Sequence, residues 1–239
     1  MNLILFDDPV SSLFLPRSDR RASHLLEVLR RGEGDGFDAG VINGPRGRGF
    51  VSAITTEGVS LAFSWGSEPP PPDPLTLIIG LPRPQSARTL LREVSSLGVS
   101  ALHFVLCEKG DPNYVSSTLW QTSEWRRHLI AGAEQAFCTR LPHVTFGRNL
   151  GDIVHPTDHA SETRIALDNY ESPAALSQIT TLQSQVTLAV GAERGWSARE
   201  RDFLRNAGFT LAHLGPRVLR TETACIVALA LLKARLGSL

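Results

Sequence analysis

The sequence predicts an α/β protein of two domains: a small, mainly β domain, then a larger one whose parallel sheet is covered by helices on both faces. Three observations carry this. Prolines crowd the run Glu68-Pro69-Pro70-Pro71-Pro72-Asp73-Pro74, which suits neither a helix interior nor a central strand and marks a linker. Before it, strand-like runs are joined by short Gly-rich connections. After it, short continuous apolar runs alternate with helical stretches. The expected boundaries are 1–67 for the first domain, 68–74 for the linker and 75–239 for the second domain.

In the first domain, Asn2–Phe6, Gly36–Ile42, Gly49–Thr55 and Val59–Trp65 read as strands. Asn43 to Gly49 reads as a turn carrying Arg46 and Arg48. Ser18 is the expected cap of one helix, with Ala22, Leu25, Leu26 and Leu29 as its apolar face. Such strands are expected to close into a small barrel. In the second domain the strands are Leu75–Ile79, Ala101–Leu106, Arg164–Leu167, Gln185–Val190 and Phe209–His213. Helices are expected near 84–97, 120–137, 172–180 and 197–207, the last opened by the capping box Ser197-Ala198-Arg199-Glu200. Gly215 and Pro216 punctuate the end of the last strand, Thr221 is the expected N-cap with Glu222 in the first turn, and an apolar helix runs from Ala224 to about Leu236.

With 239 residues, 42% of them apolar, the chain suits a globular protein, and no apolar run approaches a membrane span. Two acids follow the apolar stretch Leu3–Phe6, unlike a signal peptide. Cys107, Cys138 and Cys225 are scattered and odd in number, which fits a reducing cytoplasm and neither a disulfide framework nor a metal site. The 24 basic and 24 acidic residues cancel, which counts mildly against a free-standing nucleic-acid binder. All the basic residues except Lys109 and Lys233 are Arg, which suits phosphate contacts and base stacking and also arises from genomic base composition.

The most specific string is Leu214-Gly215-Pro216-Arg217-Val218-Leu219-Arg220-Thr221-Glu222-Thr223-Ala224, a turn opening onto a helix N-terminus, where backbone donors and close approach favour a ligand. Four further segments accompany it. They are His24-x3-Val28-Leu29-Arg30 with Gly34-Asp35; Gly80-Leu81-Pro82 with Leu97-Gly98-Val99; Ala133-Glu134-Gln135 with Leu141-Pro142; and Gly191-Ala192-Glu193-Arg194-Gly195-Trp196-Ser197 with Glu200. Together these resemble, in order and spacing, the signatures of the bacterial 16S rRNA uridine-N3 methyltransferases, the RsmE family, a branch of the SPOUT methyltransferases. The resemblance implies a PUA-like β-barrel that helps hold RNA, followed by a SPOUT α/β domain with a trefoil knot. It implies S-adenosyl-L-methionine as cofactor, 16S rRNA of the 30S subunit as partner, a homodimer, a cytoplasmic location, and no metal or membrane.

The family's cofactor pocket is made by three loops, here expected after Leu167 (Asp168, Asn169, Tyr170), at Gly191–Trp196 and at His213–Thr221. The resemblance implies cofactor contacts at Leu167, Gly191, Gly195, Leu214, Gly215, Leu219 and Thr221. Arg220 and Glu193 are the catalytic candidates, Arg220 toward phosphate or target base. Glu193 orients the base or the cofactor's amino group, or is a plain surface carboxylate. Arg217 is a second basic group or a structural partner of Glu222. Arg17, Arg20, Arg21, Arg30, Arg46 and Arg48 are the RNA-contact candidates or members of a solvated face. Glu134, Gln135 and His24 are read chiefly as structural.

The chain departs from the family pattern at Ala192, Arg194, Arg83, Ser96 and Cys138. Arg194 replaces a glycine, where a side chain forced into a glycine conformation costs roughly 1 kcal/mol. Arg194 and Cys138 favour the alternative of a catalytically weak or inactive relative that binds RNA. A doubly wound nucleotide-binding enzyme is a third reading, without the expected Gly-x-Gly-x-x-Gly turn. Cys225, Ile226, Leu229, Leu232 and Leu236 on the last helix are the apolar residues offered for dimerisation.

Overall fold

The computed structural model describes residues 3–155 and 161–238. They form two compact units, Met1–Pro71 with Ala133–Leu141, and Pro72–Gly132 with Pro142–Leu239. Asn2, the start of the first expected strand, lies outside the described residues.

The first unit contains β1 (Leu3–Phe6), β2 (Ser12–Pro16), α1 (Arg20–Ser23) running on as a π turn over His24–Val28, β3 (Gly36–Val41), β4 (Arg46–Ile54) and β5 (Gly58–Trp65). The strand order is β1-β3-β4-β5-β2, with β1 parallel to β3 and the other pairs antiparallel. β1 and β2 are the two edges, so the sheet curls into a half-barrel instead of closing through a β1–β2 ladder. Ile4, Phe6, Leu15, Leu25, Phe37, Val51, Val59 and Leu61 fill its concave side.

β2 was not expected. It is short and ends in Pro16, a sequence that carries little strand signal but suits an edge. The helix cap is Asp19, not Ser18: the Asp19 carboxylate accepts the Arg21 backbone N–H at 2.8 Å. β4 starts at Arg46, inside the expected turn, with Arg46 opposite Gly40 and Arg48 opposite Asp38. Gly47 and Gly49 relieve crowding within a strand here. A Cβ on Gly49 would lie 2.2 Å from the Phe37 ring, and one on Gly47 would lie 2.2 Å from the Ser64 carbonyl oxygen.

Residues 133–141 finish this unit. Thr139 Oγ1 donates to the Gly44 carbonyl at 2.7 Å, and Arg140 to the Asn43 carbonyl at 2.6 Å. Glu134 accepts the Leu5 N–H at 3.1 Å, on the edge strand β1. Burial pushes the Glu134 carboxyl above its ordinary range, and structural bracing is what it does here. Cys138 Sγ accepts the Arg140 N–H at 3.4 Å, within the same turn.

The second unit carries β6 (Asp73–Gly80), α2 (Pro84–Ser96), β7 (Val99–Leu106), α3 (Thr118–Gln121), α4 (Glu124–Gln135, its end counted with the first unit), β8 (His143–Asn149), α5 (Leu150–Ile153), β9 (Glu162–Leu167), β10 (Ala174–Ala175), β11 (Gln185–Val190), α6 (Ala198–Asn206), β12 (Thr210–His213) and α7 (Thr221–Leu236). The sheet is parallel throughout, in the order β10-β12-β9-β11-β6-β7-β8. Its strands β6 and β11 are largely apolar runs because both faces are covered, and β9 becomes apolar over Ile165–Leu167.

Four expectations change in this unit. The helix over 120–137 is two helices, broken at Thr122, whose backbone turns extended and whose Oγ1 also donates to the Thr118 carbonyl at 2.8 Å. The helix expected at 172–180 is the two-residue strand β10, paired with β12, and a 3-10 turn over Leu176–Gln178. β8 was missed because it is a partly polar edge strand with left-handed Gly147 (φ 74°). In α7, Arg220 is the cap residue and Thr221 begins the helix, which ends at left-handed Gly237.

α7 is apolar on every side. Cys225, Leu229 and Leu232, offered for dimerisation, are fully buried within this chain's own core. Among the described residues no helix is long and apolar enough to cross a membrane.

Candidate functional site

In a parallel sheet, the loops leaving the carboxyl ends of the strands build the ligand site. β9, β11 and β12 lie together in the second unit's sheet, and Leu167 is paired with both Val190 and Ala212. The loops after them, 168–173, 191–197 and 214–220, therefore leave the sheet at the same end.

Asp168 organises the first loop. It is almost fully buried, and its Oδ1 accepts the N–H groups of Tyr170 at 2.8 Å and Glu171 at 2.6 Å. Its own N–H donates to the Ala212 carbonyl at 2.9 Å, tying loop one to β12. Arg201 on α6 approaches Asp168 at 3.7 Å and Glu171 at 2.6 Å, and Arg205 adds a second bridge to Glu171. The two guanidinium hydrogen bonds, Arg205 first, hold the Glu171 carboxyl below its ordinary range.

The second loop depends on close backbone approach. A Cβ on Gly191 would lie 2.9 Å from the backbone of Gly195, and one on Gly80 would lie 2.4 Å from the Ala192 nitrogen. Gly195 is left-handed, with φ 64°. Trp196 is fully buried, and its carbonyl accepts from Lys109 Nζ at 2.8 Å and Arg201 at 2.9 Å. The expected capping box forms: Ser197 Oγ accepts the Glu200 N–H at 3.1 Å, and the Glu200 carboxylate accepts the Ser197 N–H at 2.7 Å. Glu193 is exposed, and its carboxylate accepts the Arg83 N–H at 2.9 Å, at the start of α2. Burial pushes the nearby Cys107 thiol up to about 12, so it stays protonated and is no nucleophile.

The third loop turns at Gly215, whose φ is 106° and whose N–H donates to His213 Nδ1 at 3.0 Å. An accepting Nδ1 leaves the neutral imidazole proton on Nε2. The chain then enters α7, where Thr221 is buried at the first turn and Arg217 and Arg220 stay exposed.

These loops and the start of α2 enclose a cavity of about 520 Å³. Its walls include the expected Leu167, Gly191, Glu193, Gly195, Leu214, Leu219, Arg220 and Thr221. Gly215 shapes the loop but is not a wall residue, and a Cβ there would meet open space. Wall residues that the sequence reading did not offer as contacts include Arg83, Ser86, Val190, Val218 and Ala224. Arg201 and Lys109 were missed as organisers, because the pairing of Arg201 with Asp168 and Glu171, and of Lys109 with a carbonyl 87 residues away, leaves no local signal. Arg194 also lines the cavity, but among the described residues positive φ outside glycine occurs at Arg30, Asn43 and Phe137. The strain expected at Arg194 does not arise, because the left-handed position is Gly195.

Four basic candidates of the first unit have protein partners. Arg21 bridges Asp19 at 2.8 Å, and Arg48 bridges Asp38 at 2.7 Å. Arg17 donates to the Thr55 carbonyl at 3.0 Å, and Arg46 to the Phe137 carbonyl at 3.2 Å. Arg30 is exposed and left-handed, with φ 52°. Among the described residues no cluster of three or more His, Cys, Asp or Glu could hold a metal ion.

Comparison with known proteins agrees with this geometry. The family described as "RNA methyltransferase domain" matches residues 69–233. The ribosomal RNA small subunit methyltransferase E of Treponema pallidum is 34% identical over 242 residues, covering 98% of this chain and 91% of that protein. The ribosomal RNA small subunit methyltransferase E 1 of Borreliella burgdorferi is 28% identical over 232 residues, covering 95% of each. A crystal structure of the ribosomal RNA small subunit methyltransferase E of Neisseria gonorrhoeae, bound to S-adenosyl methionine, superposes with a TM-score of 0.81 at 20% identity, covering 98% of this chain and 97% of that one.

Proposed function

The chain belongs to the RNA methyltransferase family, and from that membership we propose that it transfers a methyl group from S-adenosyl-L-methionine to N3 of a uridine in 16S rRNA of the small ribosomal subunit. The observation that carries this reading is the three-loop cavity at the carboxyl ends of β9, β11 and β12. Its volume suits a nucleoside-sized ligand. Leu167, Val190, Leu214 and Leu219 offer apolar walls, and Thr221 stands at the N-terminus of α7. These residues fit the adenosine part of the cofactor. When bound, S-adenosyl-L-methionine supplies a methyl already activated by its sulfonium.

The chain's own task is to place N3 and help it lose its proton. With the methyl supplied by the cofactor, the N3 proton would leave to solvent or a nearby base. Arg220, exposed at the cavity wall, stabilises the uridine as it becomes anionic or holds an adjacent phosphate. Glu193 acts as a positioning residue, since its carboxylate is engaged at the Arg83 N–H.

The same reading includes a homodimer, a cytoplasmic location and a trefoil knot. The dimer is supported by the outward side of α7, where Val227 is exposed and Ile226, Ala230 and Leu231 are half-buried. RNA also meets the basic residues of the first unit, Arg17, Arg21, Arg30, Arg46 and Arg48, through phosphates. The test is incubation of this protein and cofactor with 30S subunits lacking the modification, followed by mass spectrometry of digested 16S rRNA. Appearance of N3-methyluridine is the expected result, and methylation at another atom, or none, overturns the assignment.

A further inference from the structure

The two most exposed large hydrophobic residues among those described, Val218 at 79% and Tyr170 at 73%, both line the same cavity. A large apolar side chain this open is ordinary when isolated. Two at one mouth mark a surface that meets something. The mouth is also basic: Arg83, Arg194, Arg217 and Arg220 are exposed there. Three acids line the cavity as well, and Glu222 is half-buried at the first turn of α7. Asp168 is buried against Arg201, and the Glu193 carboxylate accepts the Arg83 N–H. Aromatic surface ringed by guanidinium groups is complementary to a nucleotide, by stacking on the base and by charge on the phosphate.

Tyr170 is held ready for this. Its N–H is fixed to the buried Asp168 carboxylate at 2.8 Å. Lys109 Nζ lies 5.5 Å and the Arg201 guanidinium 5.7 Å from the ring centroid. Both cations are themselves tied to the Trp196 carbonyl. A Cβ on Gly195 would touch the ring at 3.8 Å, so the glycine leaves that edge of the ring uncovered. The ring is thus oriented by two fixed cations while most of its surface faces solvent, which lowers the ordering cost of a stacked base.

Building on the proposed reaction, we propose that Tyr170 is a substrate-positioning residue that stacks a base of the RNA at the cavity mouth. A base must leave its own stack to reach a buried methyl donor, and a protein ring replaces part of what is lost. The requirement is for a flat ring and not for the phenolic hydroxyl.

The test compares Tyr170→Phe, Tyr170→Trp, Tyr170→Leu and Tyr170→Ala in the full chain. With 30S subunits, the Phe and Trp variants should stay close to wild type, while Leu and Ala should raise the KM for RNA by about 5- to 100-fold. Affinity for S-adenosyl-L-methionine by calorimetry and mass by light scattering should not change. A loss in Phe equal to that in Ala overturns the proposal in favour of the hydroxyl. Weakened cofactor binding in Ala makes Tyr170 a cofactor wall, and a changed oligomeric state makes it an interface residue. Short RNAs with a fluorescent aminopurine beside the uridine read stacking without turnover. Quenching by wild type and not by Ala supports Tyr170 even if methylation fails, and methylation without such quenching, unaffected by Ala, sinks Tyr170 and leaves the reaction standing.

Discussion

Arginine is abundant in both units, yet it is spent differently in each. On the half-barrel, Arg21 faces a carboxylate of its own turn, Arg48 one on the neighbouring strand, and Arg17 and Arg46 face backbone carbonyls. Around the cavity there are two classes. Arg201 and Arg205 bind Asp168 and Glu171 and hold the first loop. Arg83, Arg194, Arg217 and Arg220 stand exposed at the walls. The lesson is that availability, and not number, decides which guanidinium groups serve a ligand. A paired arginine must give up one partner to gain another, whereas an open one gains its contact outright.

The largest effect should come from the open class. Arg220→Ala should retain cofactor and lower kcat by about 100-fold or more, as removal of a group that stabilises developing charge does. Calorimetry with the cofactor and methylation of 30S subunits give the two readouts. Full activity in this variant would remove Arg220 from the mechanism and blur the distinction between open and paired arginines.

A second comparison lies between two glycines of the cavity loops. Gly191→Ala places a Cβ against the Gly195 backbone and should weaken cofactor binding by about tenfold through overpacking. Gly215→Ala adds a Cβ in open space at φ 106°. It should cost about 1–2 kcal/mol of stability through backbone strain and leave cofactor affinity nearly unchanged. The reverse order in calorimetry would put the Gly215 turn against the cofactor.

Replacing Arg46 and Arg48 together with Ala should do less. RNA affinity should fall modestly and the salt dependence should flatten by at most about one charge per lost phosphate contact. Cofactor affinity should not move. A loss as large as that of Arg220→Ala would show that the half-barrel pairs open readily on RNA.

The smallest effect concerns Glu171. Its carboxyl is held below the ordinary value of 4.5, first by the Arg205 hydrogen bond and then by Arg201. A carboxylate with a lowered folded pKa adds stability that is complete above that ordinary value and disappears as pH falls through the lowered one. Glu171→Gln should therefore narrow the stability difference from wild type as melting is measured from pH 6 down toward the lowered value. A difference that persists unchanged in acid would mean the side chain acts by packing and not by charge.

Much of the site could be read before the structure. The Ser197 to Glu200 capping box and the turn at Gly215 are local signals, and each formed as expected, while Gly191 and Gly195 make room for the loop's own backbone. The signals failed where a neighbour in space overruled the local pattern. Gly47 and Gly49 look like turn residues but serve a crowded strand. The stretch at 172–180 has helical composition but pairs with β12. Cys225, Leu229 and Leu232 look like an interface stripe but fill this chain's own core.

The sequence by itself determined much of the alternation of strands and helices and the capping box at Ser197, because periodicity and capping act over a few residues. Only the tertiary structure decided that Asp168 and Arg201 meet, that Glu134 binds the edge of β1, that Gly195 and not Arg194 takes the left-handed position, and that Tyr170 stays open at the cavity mouth. The reason is physical. Ion pairing, burial and exposure depend on which distant segments pack together, and no spacing along one chain encodes the distance across a sheet.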